Sequence, residues 1–299
     1  MITATAVCRR LLALSAEESR TGSVHSVFDH AVNLSLEGRF GLIGLIAEQK
    51  ALTPFAVSVR TACPFPEAGV RAGMAAEVES GRIRIPAAGL KLDLSEADPV
   101  DLCVDSIEIR ALAGQSGAAQ AVLGNVLGAA DAEASLAPLA TDAGGNVYTR
   151  FLAPRLADLT SAVTACDAKA AARAAERFAG CGAGLTPSSD DLLTGYLSTL
   201  HLLARAQGRA SLAAVLREAA CAAAKKTNRI SATFLLQSGE GLVNQSIYEL
   251  LSFIFQGAGE ETIQAAAGRA LAIGSTSGAD MLTGIALALR HHDGGNEQW

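Results

Sequence analysis

The sequence predicts an α+β protein, an N-terminal antiparallel β-rich barrel or sandwich followed by an all-α domain with two related loop-helix elements. Three observations predict it. Between residues 23 and 110, short apolar runs are punctuated by Gly and Pro, the spacing of strands. After Ala111, Ala and Leu recur at helical spacing and β-branched runs nearly vanish. Finally, residues 186–195 (Thr-Pro-Ser-Ser-Asp-Asp-Leu-Leu-Thr-Gly) match residues 275–284 (Ser-Thr-Ser-Gly-Ala-Asp-Met-Leu-Thr-Gly) without a gap. Strands first and helices second is the order of an α+β protein or of two tandem domains.

The strand candidates are 24–36, 40–47, 55–59, 82–85, 89–94 and 102–109. Residues 81–85 (Gly-Arg-Ile-Arg-Ile) and 90–94 (Leu-Lys-Leu-Asp-Leu) alternate polar and apolar side chains, as strands with one wet face do. The helix candidates are 118–130, 147–165, 168–179, 189–205, 212–225, 230–237, 243–255, 260–271 and 278–291. Gly114-Gln115-Ser116-Gly117 is the first polar, Gly-rich break after the strands, so the boundary is placed at Ala113–Gly114, giving domains 1–113 and 114–299.

With 50% hydrophobic and 18% charged residues, the 299-residue chain can fill a substantial core. Its formal charge is −6 and its Lys and Arg are scattered, so no basic stripe is available to a phosphate backbone, and nucleic acid is not an expected partner. Cys8, Cys63, Cys103, Cys166, Cys181 and Cys221 form no Cys-x-x-Cys pair and read as free thiols. The apolar run 11–14 is too short for a signal peptide or membrane span, so no membrane is expected and cytoplasmic residence follows.

The repeated element carries the chemistry. Ser188, Asp191, Leu193, Thr194 and Gly195 recur as Ser277, Asp280, Leu282, Thr283 and Gly284. Each copy follows a Gly-containing loop and opens a helix, whose first turn has unpaired N–H groups and a partial positive charge. The loop glycines Gly180, Gly182 and Gly184 let a small anion approach that backbone closely. Asp190, Asp191 and Asp280 add hard oxygens, the donor type that holds Mg²⁺ beside a phosphate. No organic cofactor is expected.

Gly195 and Gly284 each cost the helix about 1 kcal/mol relative to Ala, which close helix packing would justify, and such packing would join the two loops into one site. A competing reading needs no ligand, because Ser188-x-x-Asp191 and Ser277-x-x-Asp280 both fit a capping box. Capping does not, however, require the upstream glycines or Asp190. Between the copies, Lys225, Lys226, Thr227, Asn228, Arg229 and Ser231 gather cationic and polar groups, with Arg229 a fork donor for an anion. Lys225 and Lys226 also suit a solvated helix end, and Asn228 a turn.

Other groups offer less. His25 and Asp29 would share one face of a strand and His30 the other, which argues against a three-ligand metal site. Cys181 has no evident base, and His201, His291 and His292 read as helix-surface residues. The Gly loop lacks a P-loop Lys and follows no strand.

These motifs resemble a known family: Gly182-x-Gly184-Leu-Thr-Pro-Ser-x-Asp-Asp191, Thr227-x-x-Ile-Ser231 and Gly274-x-x-Ser-Gly-x-Asp280-x-Leu-x-Gly284, preceded by Val24-His-Ser-Val-Phe28. The chain is similar to a bacterial family long known as a domain of unknown function, whose members look like the small third subunit of oxamate carbamoyltransferase, an enzyme of anaerobic allantoin breakdown. It differs in having Ser189 where the family has Gly and Ala279 where the family has an aromatic residue.

The resemblance implies a purine-catabolic activity in which a carbamoyl group is exchanged between oxalurate and phosphate, giving oxamate and carbamoyl phosphate. The other enzyme subunits would be the chain's partners. Gly182, Gly184, Thr186, Ser188, Ser189, Asn228, Arg229, Ser275, Ser277 and Gly278 would bind the anionic substrate, whether phosphate, carbamoyl phosphate or oxamate. Asp190, Asp191 and Asp280 would be catalytic, holding Mg²⁺ or orienting the amide nitrogen. A non-catalytic scaffold or regulatory subunit and a metal-dependent small-amide hydrolase are the alternatives.

Overall fold

The structure is a computed structural model that describes residues 2–17, 19–37, 41–110, 115–141 and 144–295. It divides into two compact units, Met1–Leu102 and Cys103–Trp299. The expected boundary at Ala113–Gly114 lies outside the described residues.

The first unit holds β1 (Thr3–Cys8), α1 (Arg9–Glu17), β2 (Arg20–Val27), β3 (Ala31–Leu36), β4 (Leu42–Ala47), β5 (Ala56–Arg60), β6 (Ala75–Glu79), β7 (Arg82–Ile85), β8 (Leu90–Asp93) and β9 (Asp98–Val100). They form one nine-stranded sheet in the order β8-β7-β6-β2-β3-β4-β5-β1-β9. The sheet is mixed, because β4 pairs with β5 and β1 with β9 in parallel, while the other neighbours are antiparallel. It curls until β8 lies against β1.

Side-chain alternation sets the register. Val32, Leu34 and Leu36 of β3, Ile83 and Ile85 of β7 and Leu90 and Leu92 of β8 point into the core. Between β6 and β7, Ser80 and Gly81 both take positive φ (49° and 73°), the two-residue turn that matches strand twist. The expected strand over 24–36 is in fact two, β2 and β3, separated by a bend at Asp29 and His30, so those two residues do not share a strand with His25.

The second unit is helical: α2 (Gln115–Leu127), α3 (Val147–Thr164), α4 (Ala168–Phe178), α5 (Ser188–Ala206), α6 (Ala210–Ala224), α7 (Arg229–Gly239), α8 (Gln245–Gln256), α9 (Glu260–Leu271) and α10 (Ser277–Gly295). All the expected helices form. Side-chain caps start several of them: Asn146 accepts from Thr149 N–H, Asp167 from Ala170, Asn228 from Ile230 and Ser231, and Asn244 from Ile247.

The expected strand over 102–109 is instead a single helical turn, Val104–Ser106, and an isolated bridge from Cys103 to Leu242. Its apolar positions Val104 and Ile107 serve the helical core, and the segment is fastened by Val104 N–H to Gly241 O (2.8 Å) and Arg110 N–H to Phe255 O (3.0 Å). At the centre lies α5, buried on every side from Ser188 to Leu200. It packs most extensively along α10 and also touches α6 and α7.

Candidate functional site

The two copies of the repeated element come together. A Cβ on Gly195 would stand 2.1 Å from the Met281 carbonyl oxygen, and one on Gly284 would stand 2.1 Å from that of Leu192. Leu192 and Met281 are themselves equivalent in the repeat, so α5 and α10 cross with local two-fold symmetry. Glycine at both crossing points is what lets the backbones touch.

That crossing brings the two loops into contact at the helix N-termini. Thr186 Oγ1 lies 3.1 Å from Ser277 Oγ and donates to Asp191 Oδ2 at 2.8 Å, and the Ser277 hydroxyl bonds the same carboxyl. In the reciprocal position, the Ser188 and Thr276 hydroxyls lie beside Asp280. Neither serine caps its helix as the capping-box reading expects: Pro187 occupies the N-cap of α5 without a side-chain hydrogen bond, and Ser188 is already helical.

The loop that feeds α5 depends on glycine. Gly180, Gly182 and Gly184 have φ of 79°, 129° and 99°, and a Cβ on Gly182 would sit 2.4 Å from Ser188 N. Ser189 pins the loop from within the helix: Cys181 N–H donates to its Oγ at 2.8 Å, and its N–H donates to Cys181 O at 2.9 Å. Asp190 is the hub. Its Oδ1 accepts from Gly180 N–H at 2.7 Å and from the Ser189 hydroxyl at 3.3 Å, and its Oδ2 accepts from the Thr227 and Ser231 hydroxyls.

These bonds bring a third helix N-terminus to the site. Thr227 and Ser231 flank the start of α7, and the Asn228 amide that caps it also donates to Leu185 O at 2.7 Å. Arg229 is exposed on the first turn of α7, and Lys226 is paired with Glu176 at 2.9 Å.

Among the described residues, the N–H groups of Gly182, Gly184, Thr186 and Ser188 donate no hydrogen bond within the protein, and neither do those of Ser275, Thr276 and Ser277. Gly278 N–H is taken by Ile273 O, and its missing side chain lets α10 press on the Ala270 carbonyl. The outer face of both loops is open: Gly184, Leu185, Gly274 and Ser275 are exposed, and Thr186 and Ser277 are half-buried. Unpaired donors, glycine-shaped backbone and converging N-termini together can accept an anion without a buried basic side chain.

The carboxyls beneath are unusual. Burial pushes Asp191 up to about 7, against the pull of the Ser277 and Thr186 hydroxyls, with Asp280 and Asp190 adding to the rise. Burial likewise pushes Asp280 up to about 6, against the Leu136 N–H and the two nearby hydroxyls. Its Oδ1 accepts from Leu136 N–H at 2.7 Å, while Oδ2, fully enclosed, accepts no hydrogen bond.

These aspartates do not fit a Mg²⁺ cage. Hydrogen bonds fill both Asp190 oxygens, and among the described residues no group of three His, Cys, Asp or Glu is placed to hold a metal ion. Burial also pushes the Cys181 thiol up, the wrong direction for a nucleophile.

Two histidines expected at the surface have structural partners. His201 Nε2 meets Asp105 at 3.1 Å, and His291 joins the Thr164 and Tyr196 hydroxyls at 2.6 and 3.0 Å. The side chain of His292 lies outside the described residues.

Sequence reasoning missed Leu136, whose contribution is a backbone N–H, and gave Thr227 and Ser231 no partner. Their i, i+4 spacing in a hydroxyl-rich stretch was the available signal. In the first unit, the motif Val24-His-Ser-Val-Phe28 leads to an open cavity of 630 Å³ lined by Phe28, Asp29, His30, Lys50 and Pro66.

No helix among the described residues is long and apolar enough to cross a membrane. No curated protein and no solved structure matches the chain. Residues 178–289, which contain the site, match the family model of oxamate carbamoyltransferase subunit AllH, and residues 3–99 match the AllH family N-terminal domain. With two matched segments that together cover most of its length, the chain belongs to the AllH family of oxamate carbamoyltransferase subunits.

Proposed function

We propose that this chain is a subunit of an oxamate carbamoyltransferase and that it seats a small anionic reactant where the N-termini of α5, α7 and α10 meet. The observation that carries this reading is the set of unused N–H groups on two loops joined at Thr186 and Ser277. Each helix N-terminus contributes the equivalent of roughly half a positive charge, so three converging termini favour a phosphate or carboxylate there.

In carbamoyl exchange between oxalurate and phosphate, the protein's task is to hold two anions together and to stabilise charge developing on oxygen. The free N–H groups of the two loops supply donors, the Thr186, Ser188 and Ser277 hydroxyls brace the Asp191 and Asp280 carboxyls beneath them, and exposed Arg229 supplies a cation. Ser189, Asn228 and Asp190 act one step away, by fixing the loop.

Calorimetric titration of the chain, alone and assembled with the other subunits, with phosphate, carbamoyl phosphate and oxamate tests the reading. Saturable binding that weakens on Thr186→Val in a chain that still folds is the expected result. A complete lack of binding in both forms would overturn it.

A second role, docking of another subunit, is favoured by Val147, Phe151 and Leu185, which expose 64%, 48% and 60% of their surface. Phe151→Asp and Leu185→Asp are expected to weaken assembly in sedimentation while leaving the helix content unchanged.

A further inference from the structure

The local two-fold relates the starts of α5 and α10. Asp191 and Asp280 are equivalent residues, both buried in first helical turns. On Asp191, Oδ2 is satisfied by the Thr186 hydroxyl of its own loop. The equivalent of Thr186 in the second copy is Ser275, which is exposed; the Ser188 and Thr276 hydroxyls lie beside the Asp280 carboxyl instead, yet its Oδ2 accepts no hydrogen bond. One copy is closed and the other keeps an acceptor oxygen open, although leaving such an atom buried and unpaired costs about 1–3 kcal/mol or more.

We propose that Asp280 Oδ2 is the acceptor for the amide nitrogen of the bound reactant, the –NH₂ of oxamate or of a carbamoyl group, while the loop N–H groups hold its anionic end. This rests on the small-anion reading of the site. Backbone N–H groups alone cannot distinguish oxamate from oxalate, and they would favour oxalate for its second charge. A carboxylate oxygen facing the nitrogen reverses that preference, since it accepts from –NH₂ and repels –O⁻. Asp280 thereby becomes the specificity-determining residue of the seat. Oδ2 is enclosed in the ligand-free chain, so the neighbouring loops must shift as the ligand enters. Residues 183–184 and 274–275 are exposed and are the parts that would give way.

The test compares oxamate, oxalate and N,N-dimethyloxamate, which lacks N–H, by calorimetry on the full chain and on the assembled enzyme, with phosphate as the control anion. The unmutated protein is expected to bind oxamate at least tenfold more tightly than either of the others. Asp280→Asn, which keeps the side-chain volume and the bond from Leu136, is expected to bring the oxamate to oxalate ratio to one or below while phosphate still binds. Equal affinity for the three in the unmutated protein, or an unchanged preference in Asp280→Asn, overturns the assignment and leaves the anion seat standing. Absence of phosphate binding and of oxamate binding removes the seat itself, and the assignment with it. Because the comparison of ligands needs no substitution, it remains decisive even if Asp280→Asn does not fold.

Discussion

Gly195 and Gly284 occupy the same place in the two copies of the repeat, and each lies against the backbone carbonyl of the other copy, with room for no Cβ at either point. The symmetric contact between α5 and α10 is therefore a requirement of shape, and it is what carries Thr186 to Ser277.

Replacing either glycine with Ala sets two effects against each other. Ala gains about 1 kcal/mol of helix propensity, but a Cβ 2.1 Å from a carbonyl oxygen forces the helices apart, and overpacking of that kind costs about 1–3 kcal/mol. Net destabilisation is expected for each in urea unfolding. The double variant should lose less than the sum, because the first substitution has already separated the pair. Wild-type stability in both single variants would show that the helices are not in such close contact.

Asp190 is expected to matter more for the loop than for chemistry. Asp190→Ala removes the acceptor of four donors and leaves Gly180 N–H and the Thr227 and Ser231 hydroxyls without a partner. The expected loss is about 1–3 kcal/mol, since Ser231 is buried and Thr227 half-buried, while the exposed Gly180 can turn its N–H to water. Limited proteolysis should then cut within residues 181–186 faster than elsewhere. Thr227→Val and Ser231→Ala should each show a smaller part of the same effect. A variant that unfolds like the parent and resists cleavage would contradict the role of Asp190 as a tie.

The helices were legible because their signal is local, and α2 to α10 can be read from periodicity alone. The sheet was less so. β1 is Thr-Ala-Thr-Ala-Val-Cys, whose β-branched residues are interrupted by Ala and run straight into α1, β6 is Ala-Ala-Glu-Val-Glu, rich in residues that strands do not favour, and β9 contains Pro99 at a sheet edge, where Pro is tolerated. At the site, the loop and the aspartates stood out by spacing. The distribution of their hydrogen bonds did not, because whether Asp190 faces Thr227 or a ligand is decided by how α7 packs on α5, a contact between residues 37 apart.

The raised carboxyls give a pH dependence of defined sign. Asp191 and Asp280 hold their protons in the folded chain up to about 7 and about 6, whereas in the unfolded chain they release them near the ordinary value of about 4. Across that window the folded state binds more protons than the unfolded one, so their contribution to stability falls as pH rises from about 4 to about 7 and is flat above. The slope is at most about 1.4 kcal/mol per pH unit for each group. Asp191→Asn, which cannot ionise, should compare least favourably with the parent at pH 5 and most favourably at pH 8. Urea unfolding at pH 5, 6, 7 and 8 measures this, and parallel curves for the two proteins would refute it.

Gly182 and Gly184 separate occlusion from strain. Both have positive φ, so Ala is strained at either position, but their surroundings differ. A Cβ on Gly184 would meet only Thr186 O at 3.9 Å, whereas one on Gly182 would stand 2.4 Å from Ser188 N and 3.0 Å from both Ser188 Cβ and Oγ. Gly182→Ala therefore covers one of the N–H groups assigned to the anion and pushes the loop off the start of α5. It is expected to weaken phosphate binding by tenfold or more, the loss of a charge-assisted hydrogen bond worth about 1.5–3 kcal/mol. Gly184→Ala should lower thermal stability by a similar small amount but keep most of the affinity. If calorimetry finds the two variants equally impaired, backbone strain alone explains the glycines; if Gly182→Ala binds phosphate like the parent, the Ser188 N–H does not face the ligand.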